Sequence, residues 1–165
     1  MGEIREPLHE LAQCGLPGAL DVMGERWAFM ILRAAFNGLH HFEEFLEELG
    51  IARNILSNRL AKLVEHGILV RQPLEEDRRK IQYALTEKGR DLLPAMLALR
   101  HWGMRYAGET VEDPVLVDRR DHQPIGPVVV LGHDGRVLDH ADLCFISRSE
   151  LSDRNAREGE VKKAG

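Results

Sequence analysis

The chain has 165 residues, 44% hydrophobic and 30% charged, with a net charge of −5, the composition of an ordinary globular domain with room for one small extra element. No run approaches the roughly 18 apolar residues of a membrane helix, and the N-terminus, Met1-Gly-Glu-Ile-Arg-Glu-Pro, has no apolar leader core. Two cysteines are too few for a disulfide framework or a CxxC metal knuckle, so a reducing, cytoplasmic setting is expected.

Ile4, Leu8 and Leu11 stand at helical spacing and predict a short arm helix over Ile4–Gln13. Gly15 and Pro17-Gly18 should break it, with a short helix over Ala19–Met23. Trp27–Phe36 is apolar on almost every side, as a buried helix is, and Asn37-Gly38 supplies its stop. Over His41–Gly50, Phe42, Phe45, Leu46 and Leu49 fall at i, i+3, i+4 and i+7, with Glu43, Glu44, Glu47 and Glu48 on the other face. A further helix over Ala52–His66 has the stripe Leu56, Leu60, Leu63 and Val64, and Asn54, Asn58 and Lys62 opposite. Two helices joined by so short a turn make a helix-turn-helix candidate.

The period then shifts from 3.6 to 2. Ile68–Gln72 and Ile81–Leu85 read as strands joined by a polar tip that carries Arg78, Arg79 and Lys80. Thr86 is a natural cap for a helix running to Tyr106, and Pro94 should kink it. After Gly108, Val115–Val117, Val128–Leu131 and Arg136–Leu138 predict a small β appendage. The stretch from Leu151 reads as a frayed tail. Charge is uneven along this order. Residues 51–90 hold nine basic and five acidic side chains, whereas residues 1–50 hold three and nine. Because charge acts locally over about 10 Å, the central block can serve nucleic acid. On charge alone a solvated face fits better.

Several segments resemble the HxlR-type transcriptional regulators. They are Leu20–Trp27 with Ile31-Leu32-Arg33, Phe42-Glu43-Glu44-Phe45, Ile55–Leu60, Leu63–Arg71 and Tyr83–Gly89, in order across residues 14–103. The resemblance implies an α+β winged helix-turn-helix, cytoplasmic and dimeric, that binds operator DNA. With the changes of pattern after Gly108 and at Leu151, the chain divides into a DNA-binding and dimerisation domain over 1–107, a β-rich appendage over 108–150 and a disordered tail over 151–165. Some longer family members carry a zinc-ribbon-like hairpin in that appendage. Here its cysteine pairs are missing, and Asp121-His122 and His133-Asp134 read as turn residues, so no metal is expected.

Candidate DNA-contacting residues follow from the chemistry of the motif. The N-terminal end of the second helix, with Ala52, Arg53, Asn54, Ser57 and Asn58, would face base edges in the major groove. Arg suits guanine O6/N7 and Asn suits adenine N6/N7. Lys62 would meet phosphate. Arg59 has two roles open to it, a phosphate contact or an internal ion pair. Arg78, Arg79 and Lys80 at the wing tip would meet the backbone or minor groove. Dimerisation would use the arm and the long helix, and a two-fold dimer matches a palindromic operator; packing of Trp102 and Tyr106 under the β appendage is the other reading.

Cys14 sits where relatives can carry a redox-sensing thiol; a small inert thiol is the other reading. Cys144, between Leu143 and Phe145, reads as packing. No GxSxG, Walker loop, HExxH or CxxC is present, so neither an enzyme nor a cofactor is expected. Two alternatives to a plain DNA-binding regulator stay open. One is a winged-helix module for protein–protein contact. The other is a thiol- or small-molecule-responsive regulator of the same fold.

Overall fold

The computed structural model describes residues 14–74, 77, 79–108 and 115–153. Its elements in chain order are α1 (Gly15–Met23), α2 (Arg26–Phe36), α3 (Phe42–Leu49), α4 (Arg53–Glu65), β1 (Leu69–Pro73), β2 (Ile81–Leu85), α5 (Glu87–Arg90), α6 (Leu93–Tyr106), β3 (Val130–Leu131) and β4 (Val137–Leu138). This is the expected α+β order of a winged helix-turn-helix. Cys14–Val128 forms one compact unit, and the chain from Val129 belongs to a second. Among the described residues no helix is long and apolar enough to cross a membrane. The expected arm over Ile4–Gln13 and the wing residue Arg78 lie outside the described residues.

The helices assemble around α2. It buries Ala28, Ile31, Leu32, Ala34 and Ala35 and packs against α1, α3, α4 and β2. Phe45 from α3, Leu56, Leu60 and Leu63 from α4, and Leu69 from β1 complete a fully buried centre. The stripe on α4 recurs at i, i+4 and i+7, so burying it leaves the opposite face to solvent.

Two glycines set the geometry of the motif. Gly50, at φ 57°, closes α3 in the left-handed region, where a side chain would be strained. Ile51 is then buried in the turn, and Ala52 is the N-cap of α4. At the far end of α4, Gly67 has φ 67°. The Ile68 amide donates to Leu63 O at 2.8 Å and the Gly67 amide to Val64 O at 2.9 Å, the bond pair of a Schellman stop.

The wing pairs Leu69 with Leu85 through to Pro73 with Ile81, antiparallel. From Val70 onward β1 is exposed, so the hairpin projects from the core. Its other strand is tied to the residues before α3. The Tyr83 amide donates to His40 O at 2.7 Å, and His41 Nδ1 lies 3.0 Å from Ile81 O. The Glu44 carboxylate accepts from the His40 and His41 amides at 2.8 and 2.9 Å. Those two bonds hold its carboxyl below the ordinary carboxylate range. Thr86 then caps α5: its Oγ1 accepts from the Gly89 amide at 3.0 Å and donates to Gly67 O at 2.6 Å. Gly89 is required there, because a Cβ would fall on the Ile68 carbonyl oxygen.

Five details depart from expectation. Gly15 and Pro17-Gly18, expected to precede a helix starting at Ala19, form the first turns of α1, with Cys14 as N-cap. Amides of a first turn have no intrahelical acceptor, so a proline there loses nothing. Pro94 does more than kink one long helix. The chain stops at Arg90 and restarts at Leu93, with Pro94 in the new first turn, the place its ring is tolerated. In the appendage, the expected strand at Val115–Val117 is a single bridge between Val117 and Pro124. The expected strand Val128–Leu131 shrinks to two residues paired with β4. Of the expected tail, residues 151–153 continue a helical turn begun at 148; the rest lies outside the described residues.

Candidate nucleic-acid interface

The exposed face of α4 follows from the burial of its leucine stripe. Arg53, Asn54, Ser57 and Asn58 are exposed on its first two turns, and Lys62 is half-buried in its last. Four of the residues the sequence singles out are therefore displayed together near one helix end. Short polar side chains there can exchange water for base edges without first breaking any bond among those found here.

Arg53 is held in place. Its Nη1 and Nη2 donate to Glu43 Oε1 and Oε2, each at 2.8 Å. Its guanidinium lies over the Phe42 ring, 5.2 Å from the centroid. The Arg53 hydrogen bond pulls the Glu43 carboxyl below its ordinary value, and Glu43 raises that of Arg53. Since α3 supplies Glu43 and Phe42 while α4 supplies Arg53, this contact joins the two helices of the motif across Gly50–Ala52.

Arg59, the residue with two open roles, makes the internal ion pair. It pairs with Glu25, the N-cap residue of α2. Its Nε is buried and has no hydrogen-bond partner among the described residues. The pair fastens α4 to the start of the central helix.

At the wing, Asp77 shapes the tip. Its Oδ1 accepts from the Arg79 amide and from Arg79 Nε at 3.1 and 3.2 Å, and its carbonyl accepts from the Lys80 amide at 2.9 Å. The Arg79 side chain is 93% exposed, and Lys80 is exposed too. Sequence reasoning missed three charged residues here. Glu43 was read only as part of a polar helix face, and Glu25 was not singled out. Arg71, exposed on β1 opposite Tyr83, could have been found from its place in the strand leading to the basic tip.

Outside this face, Cys14 is half-buried, and its Sγ accepts from the Leu16 amide at 3.5 Å. Cys144 is exposed, which corrects its reading as a packing residue. Asp121 and Asp134 serve turns: their Oδ1 atoms accept from the Gln123 and Arg136 amides at 3.1 and 3.0 Å. On α6, Leu99, Trp102 and Tyr106 fall at i, i+3 and i+7 and are 54%, 61% and 60% exposed.

Residues 22–111 match a family described as HxlR-like helix-turn-helix. The HTH-type transcriptional regulator Rv3095 of Mycobacterium tuberculosis is 38% identical over 83% of this chain and 79% of its own length. Among solved structures, the candidate transcription factor PA1607 is 42% identical with a TM-score of 0.77, over 85% of this chain and 98% of that one. The redox regulator HypR in its oxidised form is 30% identical with a TM-score of 0.52, over 59% of this chain and 100% of that one.

Proposed function

The chain belongs to the HxlR-like helix-turn-helix family and is a DNA-binding transcriptional regulator; from that premise we propose that α4 enters the major groove and the wing lies along the backbone or minor groove. The observation that carries this is the exposed row Arg53, Asn54, Ser57 and Asn58 on a helix anchored by its buried leucines. Asn54, Ser57, Asn58 and Arg53 read bases. Lys62, Arg79 and Lys80 meet phosphate, joined by Arg78 of the same tip. Arg59, through Glu25, fixes the angle of α4. The apolar surface of α6 seats a second copy. Residues 1–107 are then the DNA-binding and dimerisation domain, residues 108–150 an appendage, and the operator an inverted repeat with half-sites about one helical turn apart. A setting in the cytoplasm, beside the DNA, goes with this role.

Asn54 gives the direct test. Asn54→Ala is expected to relax the base preference at one position of each half-site, by about 1–3 kcal/mol of discrimination. Affinity for unrelated duplex should hardly move. Gel-shift titration against a preferred duplex and its single-base variants measures both. An unaltered preference profile would remove α4 from the major groove.

Cys14 bears on the thiol-responsive alternative, because HypR is a redox regulator. In this chain the thiol caps α1, and serine fills such a position well. Cys14→Ser should therefore leave duplex affinity within about twofold, and mild oxidant should change wild-type affinity as little. If oxidant abolished binding by the wild type and not by Cys14→Ser, the thiol-responsive reading would replace this one.

A further inference from the structure

The Glu43–Arg53 clamp lies at the end of α4 that the proposed function aims at base edges. Its side chains are 69% and 62% exposed, and an exposed ion pair adds little to folding. Its geometry is nonetheless fully specified, by two parallel bonds of 2.8 Å and by the Phe42 ring against the guanidinium. A guanidinium has five N–H donors, and Glu43 takes one from each terminal amino group. The Nε–H and the neighbouring Nη–H remain as a second parallel pair, the arrangement that matches guanine O6 and N7.

We propose that Glu43 is a specificity-determining, positioning residue of the DNA interface, holding Arg53 so that it engages a guanine edge and not the nearest phosphate. This rests on the DNA-binding reading above. Two effects act together. An unheld arginine is long and mobile and loses rotamer freedom wherever it binds. Phosphates are the dominant attraction for such a cation, whatever the sequence. The clamp fixes the guanidinium in advance, and the Glu43 carboxylate itself repels phosphates. Held below its ordinary value by Arg53, that carboxyl is ionised throughout the neutral range. Specificity is a difference of affinities, so Glu43 raises it chiefly by weakening binding to the wrong duplex.

The test uses the full chain as wild type, Glu43→Gln, Arg53→Gln and the double variant. Each selects from a pool of randomised duplexes. Each is then titrated, at one salt concentration, against the wild-type-selected duplex and a scrambled one. Glu43→Gln is expected to bind the scrambled duplex about threefold to tenfold more tightly and to lose about tenfold in the selected-to-scrambled ratio. The lost preference should be for guanine at the position that Arg53→Gln also loses, and the double variant should lose no more than Arg53→Gln alone. Thermal unfolding of all four proteins should coincide. If Glu43→Gln keeps every wild-type base preference while Arg53→Gln loses one, the clamp role is overturned and the DNA-binding reading stands. A lowered melting temperature with unchanged preferences would make Glu43 merely structural and overturn it too. If the wild type selects no sequence, both readings fall together.

Discussion

Phe45→Ala is expected to lower the unfolding free energy by about 3–5 kcal/mol, a large part of the roughly 5–15 kcal/mol that holds a domain folded. Phe45 is fully buried on α3, and α3 packs against α2, α4 and β2. Truncation removes the ring from the buried core to which α2, α3 and α4 all contribute. A packed core closes only partly on such a void, so the loss includes a cavity as well as lost burial. Urea unfolding measures it as a lower midpoint at unchanged slope. A loss under about 1 kcal/mol, outside the range for buried aromatics, would mean that α3 is not seated as described. Weaker DNA binding should accompany the loss, because a loosened α3 no longer fixes the angle of α4.

Replacing Arg79 and Lys80 together with alanine is the largest expected change in binding. Each phosphate contact contributes about 0.9 to the slope of log affinity against log salt. Losing two should flatten that slope by nearly two units and weaken binding to every duplex roughly 60-fold at 0.1 M salt. The Arg79–Asp77 pair does not prevent such contacts, since the arginine side chain is 93% exposed and exposed pairs yield readily. Base preference should be unaltered, because phosphate contacts position the protein without reading sequence. Titration of one preferred and one unrelated duplex across a salt series decides this. An unchanged slope with a changed preference would invert the roles given to α4 and the wing.

These expectations were legible to different degrees in the amino-acid order. Periodicity placed α3 and α4 within a residue or two, because one buried stripe per helix leaves an unambiguous pattern and Gly50 and Gly67 mark both exits. The switch to period 2 found both wing strands for the same reason. Pro17 hid the start of α1, because a proline reads as a breaker wherever it stands, whereas its cost vanishes in a first turn; at Pro94 the expected kink is a full break between α5 and α6. The appendage was over-read: runs of Val and Leu suggest strands, but Val128–Leu131 and Val137 stay exposed, and pairing without burial gives only short ladders. Residues at the interface were named from their type and place on α4. Their partners were not, because Glu43 and Arg53 are ten positions apart and Glu25 and Arg59 thirty-four. Such contacts depend on the angle between helices, which no local spacing encodes.

If α4 reads bases in the major groove, guanine N7, which lies in that groove, is shielded from methylation on a duplex selected by the wild-type protein. Two protected blocks are expected, with centres about 10 base pairs apart, one of them per half-site, and weaker protection with Asn54→Ala. Full reactivity of guanine N7 on a duplex that is demonstrably bound, at low salt where phosphate contacts are strongest, would contradict base reading by α4.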